Sequence, residues 1–74
     1  MVSLAELEPG TNASVVLVDS TSEARLNRLA SFGIVPGTRL RLVSLKPAMV
    51  IACGASTVAV EESIGREIFV VPVE

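Results

Sequence analysis

The sequence predicts a mainly β domain, a small and partly open barrel of about five short strands with one α-helix inserted over about residues 21–32. Three observations carry that prediction. Residues Arg28 to Gly37 read Arg-Leu-Ala-Ser-Phe-Gly-Ile-Val-Pro-Gly, a helical pattern that stops on glycine and runs into a Pro-Gly turn. From Arg39 the chain then alternates, with Leu40 and Leu42 on one side and Arg39, Arg41 and Val43 on the other, the period of a half-buried strand. Finally, 74 residues with 50% apolar content and only two aromatics, Phe32 and Phe69, call for a core of Val, Leu, Ile and Ala, side chains that suit pleated surfaces. Short strands in so short a chain must curl on themselves to enclose a core.

Each element has a local reason. Ser3 to Leu7 fits a short helical turn closed by Pro9-Gly10. Ala13 to Asp19 is a first strand with weak alternation. Ser20-Thr21-Ser22-Glu23 matches a capping box in which the Ser20 hydroxyl accepts from the Glu23 amide. Leu26, Leu29, Ala30 and Gly33 follow at helical spacing, leaving Arg25, Asn27, Arg28 and Ser31 for solvent. Gly33 suits a left-handed stop, after which Ile34 packs back on Leu29. Pro36-Gly37 is a second turn pair. Beyond the alternating strand, Pro47 bends a hairpin or marks an edge. Ala48 to Cys53 is an apolar strand, Gly54-Ala55-Ser56 a turn, and Thr57 to Glu61 a strand with Val58 and Val60 inward. Ser63 to Arg66 makes one helical turn and Ile68 to Val73 the last strand.

The chain reads as one domain over residues 1–74, without repeat or linker. A domain of this size buries only about 60% of the surface that its unfolded chain exposes, so its stability is small. Cys53 is the sole cysteine, which excludes an internal disulfide and fits a reducing compartment, the cytoplasm. The start, Met-Val-Ser-Leu-Ala-Glu-Leu-Glu, lacks the basic residues of a signal peptide. The longest apolar run, Pro47 to Cys53, falls far short of the ~20 residues that span a bilayer, so no direct membrane insertion is expected.

Chemistry is scarce. Nucleophilic catalysis needs a base beside the nucleophile, and there is no His. Cys53 sits in an apolar strand, where a thiol stays protonated and inert. A metal site would depend on Glu61, Glu62 and Glu67, and adjacent Glu61 and Glu62 on a strand would point to opposite faces. The scattered glycines make no phosphate-cradling loop. Nucleic-acid binding by a small barrel calls for aromatic platforms and a basic groove, which two apolar-flanked phenylalanines and a net charge of −2 do not offer. The residues thus point to no enzyme, no cofactor, no resident metal and no nucleic acid.

Charge is nevertheless segregated. Arg25, Arg28, Arg39, Arg41 and Lys46 lie in a central stretch, and no Asp or Glu occurs from Ala24 to Val60. Arg25 and Arg28 are three apart on the helix and Arg39 and Arg41 two apart on a strand, so each pair shares a face. If the two faces adjoin, the four arginines form a partner surface for acidic groups, where Arg offers bidentate pairing. The alternative is that the acidic ends of the chain fold back and neutralise the middle.

The segment Arg28-Leu29-x-x-Phe32-Gly33-Ile34-Val35-Pro36-Gly37-Thr38 resembles FeoA, the small cytoplasmic protein of bacterial ferrous iron transport. Leu7-Glu8-Pro9-Gly10 looks like the family's opening Leu-x-Pro-Gly, Gly54 with Val58-Ala59-Val60 like its late glycine and apolar strand, and Ile68-x-Val70 like its closing strand. The chain departs from the family in a shorter, more apolar hairpin after Pro47, without the common Gly-Asp-Pro segment, and in Phe32 where Leu or Met is commoner. The resemblance implies an SH3-like barrel and a non-enzymatic role in iron homeostasis. That role is binding the cytoplasmic portion of the membrane transporter FeoB, which contains a GTP-hydrolysing domain, and modulating or assembling it from the inner face of the membrane. Its sharpest form would be an arginine finger from Arg28, Arg39 or Arg41. The same module also forms the C-terminal domain of DtxR-type repressors, which implies a ligand- or metal-sensing module as the alternative. A third reading is weak homo-oligomerisation through the apolar strand Ala48–Cys53.

Overall fold

The computed structural model describes residues 1–74. Six strands form one antiparallel sheet: β1 (Val2–Ser3), β2 (Asn12–Val18), β3 (Arg39–Ser44), β4 (Met49–Cys53), β5 (Ser56–Val60) and β6 (Ile68–Val73). A 3-10 turn spans Leu4–Glu6, helix α1 spans Glu23–Ser31 and a one-turn helix α2 spans Glu62–Gly65. In space the strands run β1-β6-β2-β3-β4-β5. The principal extents are 29, 25 and 23 Å, too nearly equal for a flat sheet, so the sheet curls round its own core. Its two ends are the edges of β1 and β5.

Alternation builds that core. Leu40 and Leu42 of β3, Met49, Ile51 and Cys53 of β4, Ile68 and Val70 of β6, and Ala13 and Val15 of β2 are buried on one face. Leu4, Leu7, Leu29 and Ile34 complete the same buried cluster. The weak alternation of the first strand has a cause: a bulge between Val15 and Leu17 breaks the register against β6 and leaves Val16 and Leu17 exposed.

Two features at α1 depart from expectation. The helix begins at Glu23, not Thr21, and its N-cap is Ser22, whose hydroxyl accepts from the Arg25 amide at 3.2 Å. Ser20 instead accepts from the Ser22 amide at 3.2 Å, while its own amide bonds Val18. The pairing of amide and carboxylate expected there occurs earlier in the chain, where Glu6 accepts from the Ser3 amide at 2.9 Å. Ala30, expected against the barrel, is exposed; the inward stripe is Leu29 with half-buried Arg25, Leu26 and Phe32. These positions sit three and four residues from Leu29, whereas Ala30 is rotated about 100° from it.

The helix stop is as expected. Gly33 has φ +84°, and the amides of Gly33 and Ile34 bond the carbonyls of Ala30 and Leu29 at 2.9 and 3.0 Å, a Schellman motif. Pro47 follows a cis peptide bond in the β3–β4 hairpin, and the Ser44 hydroxyl donates to the Ala48 carbonyl at 2.9 Å across that bend. β4 lies between β3 and β5 and is bonded on both sides, so Ala48–Cys53 offers no free edge for self-association. β1 adds a sixth strand to the expected set, pairing Val2 with Val70 and Ser3 with Phe69.

Candidate functional site

The sheet and α1 leave a groove of about 320 Å³ between the helix and strand β5. Its floor is apolar, made by Leu29 of α1, Phe32 at the C-cap of α1, Val58 and Val60 of β5, and Ile64 of α2. Arg25 and Arg28 stand on the helical rim and Glu61 at one end. Val58 and Val60 face inward as expected but are only half-buried, because this groove opens beside them.

The four arginines divide between two places. Arg25 and Arg28 line the groove, while Arg39 and Arg41 project from the exposed face of β3, opposite Ser14 and Asn12 of β2. No groove is lined by members of both pairs. Their electrostatic states differ as well. Arg25 donates to the Glu67 carboxylate at 2.7 Å with both side chains about one-third exposed, and Arg39 donates to the Glu74 backbone carbonyl. Arg28, Arg39 and Arg41 have no carboxylate partner, and Arg28 and Arg41 make no side-chain bond at all. The acidic ends therefore neutralise part of the basic middle and leave the rest free. Sequence reasoning missed the Arg25–Glu67 pair, since 42 residues separate its members and no local pattern joins them.

Of the three carboxylates considered for a metal, Glu62 and Glu67 are held in ion pairs. Glu61 and Glu62 do not alternate on a strand: Glu61 is the N-cap residue of α2 and Glu62 its first residue. Glu62 bonds Lys46 at 3.1 Å and also pairs with Arg66 one turn on. The Lys46 ammonium, by hydrogen bond and by charge, and then the Arg66 guanidinium hold the Glu62 carboxyl below the ordinary glutamate range. No three Cys, Asp or Glu side chains converge as a metal-ligand set. Cys53 is buried, its Sγ 3.7 Å from the Gly33 carbonyl oxygen, and packs under the helix stop. The serines serve as caps and bends, Ser31 for example donating to the Arg28 carbonyl at 2.6 Å.

A family model for the FeoA domain matches residues 2–72. The chain belongs to the FeoA family. No curated protein sequence matches it. This FeoA-family chain is similar to the FeoA protein of Chlorobium tepidum, at 24% identity and a TM-score of 0.90 over 99% of this chain and 71% of that one. It is similar to FeoA of Stenotrophomonas maltophilia, a prokaryotic SH3 domain protein in complex with zinc, at 26% identity and a TM-score of 0.81 over 95% and 89% of the two chains. Its curled sheet is an SH3-like fold. T. acidophilum IdeR matches with a TM-score of 0.89 at 21% identity, over 97% of this chain and 34% of that one, so the same fold serves as part of a larger protein. The FeoA family is associated with ferrous iron transport.

Proposed function

We propose that this FeoA-family chain is a non-enzymatic accessory protein of the cytoplasm that binds the cytoplasmic portion of a FeoB-like transporter and modulates or assembles it at the inner face of the membrane. The observation that carries the reading is the family match over residues 2–72. It is supported by two guanidiniums, Arg28 and Arg41, that have no acid within the molecule to satisfy them. Free guanidiniums on an exposed surface are suited to bidentate pairing with a partner's carboxylates. Arg25 is already paired with the Glu67 carboxylate, and Arg39 donates to the Glu74 backbone carbonyl on the separate β3 face.

The test is capture of the transporter's soluble cytoplasmic domain by the wild-type chain and by the Arg28→Glu/Arg41→Glu variant. Wild type captures the domain, and the variant captures less of it, most visibly at low salt, while its melting curve is unchanged. Equal capture by both removes the arginines from the account. The likeness to IdeR favours a ligand- or metal-sensing module as the second reading, and absence of capture by either protein would support it.

A further inference from the structure

The free edge of the sheet and the groove meet at β5. That strand pairs with β4 and with nothing else, from Met49 opposite Val60 to Cys53 opposite Ser56. Gly54, at φ +60°, and Ala55 make the two-residue turn that joins them. In a two-residue hairpin the closing pair, Cys53 with Ser56, exchanges both backbone hydrogen bonds, and the pattern alternates from there. Val58 and Val60 therefore spend their backbone groups on β4, whereas Thr57 and Ala59 turn theirs outward. Both residues are exposed. An edge strand usually carries Lys, Pro or a bulge that blunts pairing with another chain. Ser56-Thr57-Val58-Ala59-Val60 has none of these.

We infer that β5 is a docking edge for an extended segment of a partner protein, added as a further strand and carrying apolar side chains that alternate with carboxylates. The inference rests on the reading that this chain acts by binding a protein. Unpaired main-chain groups along about 17 Å of β5 supply the bonding. Apolar side chains of the added segment enter the floor of Leu29, Phe32, Val58 and Ile64, and alternate carboxylates meet Arg28 on the helical rim. Charge complementarity selects the acidic occupant, because Arg28 has no acid of its own and Glu61 is the sole carboxylate in the lining. Chemistry selects that segment over a second copy of the chain, because a second β5 would bring only uncharged Ser, Thr, Val and Ala to Arg28.

The experiment uses the full chain and two peptides, Val-Glu-Val-Glu-Val and its Lys-for-Glu counterpart, followed by amide NMR and hydrogen exchange. In the free chain the Thr57 and Ala59 amides exchange faster than those of Val58 and Val60. The acidic peptide slows Thr57 and Ala59 at least about tenfold and shifts Arg28 and Phe32, and the basic peptide does neither. Ala59→Pro removes an outward amide without touching the β4 ladder, so it keeps its fold by circular dichroism and loses the peptide response. The inference is overturned if millimolar acidic peptide leaves Thr57 and Ala59 unprotected, if both peptides act alike, or if those amides are already protected in the free chain through pairing of two copies. Capture of the transporter domain is scored separately. Wild-type capture with no peptide response leaves the proposed function standing on another face, and a peptide response without capture retains the docking edge for a different protein.

Discussion

Gly65 shows how much one side chain decides in a core this small. It is buried in α2, and a methyl group there would overlap Sδ and Cε of Met49. Because the overlapped atoms are the far end of a flexible side chain, Gly65→Ala is expected to cost about 1–3 kcal/mol by overpacking, without loss of the fold. Met49→Val in the same chain relieves the overlap, and a denaturant titration of the single and double variants reads the recovery. Nothing in the sequence pattern marks this glycine, since the constraint comes from a residue of β4 brought to it by the fold. Glu62 is the second residue-scale case. Its folded carboxyl titrates below the ordinary glutamate value, so its favourable contribution is present above the unfolded value and is lost as pH falls through the lowered folded value. Since Lys46 is the larger cause, Lys46→Ala raises the Glu62 titration midpoint more than Arg66→Ala does, as carbon-detected NMR titration will show. Equal midpoints in the two variants would contradict the ordering.

Among the elements, α1 joins the core to the groove. Leu29 is its one buried residue, and its carbonyl also accepts from Ile34 at the helix stop. Leu29→Ala should cost about 2–5 kcal/mol, enough to unfold a domain of this size, and an unchanged melting curve would sink the packing claim. The cap makes a finer distinction: Ser22→Ala costs about 0.5–2 kcal/mol and Ser20→Ala less, because only Ser22 accepts a bond from within the helix. The end of this helix was legible, since Gly33 and Ile34 act through local geometry that a sequence pattern records. Its start was less so, because Ser20, Thr21 and Ser22 stand in a row and all three are residue types that cap helices. β3 was legible because Leu40 and Leu42 alternate with Arg39 and Arg41 without interruption. β1 was not, since two residues carry no period and its pairing with β6 is the longest-range contact in the sheet.

For the whole molecule, the balance of charge is settled by folding. The acidic C-terminal region returns to the helix through Glu67 and to the hairpin through Glu62, so Arg25 and Lys46 are neutralised. Arg28 and Arg41 remain free on a molecule whose net charge is −2. The sequence displays the acid-free stretch, but which of its bases stay unpaired depends on contacts such as Arg25–Glu67 that cross most of the chain. That the arginine pairs occupy a groove and a sheet face, rather than one continuous line of contact, was equally invisible before the order of strands was known. The central claim is that these free guanidiniums serve recognition of an acidic protein surface. Rim charges of this kind act mainly on the association rate, and salt screens them over a Debye length of about 10 Å at 0.1 M. The most direct measurement is stopped-flow association of the chain with the transporter's soluble cytoplasmic domain across a range of salt. The wild-type rate is predicted to fall steeply with salt, and the Arg28→Glu/Arg41→Glu variant to associate about tenfold more slowly at low salt with a flatter dependence. Identical rates and identical salt slopes for the two proteins would contradict the account.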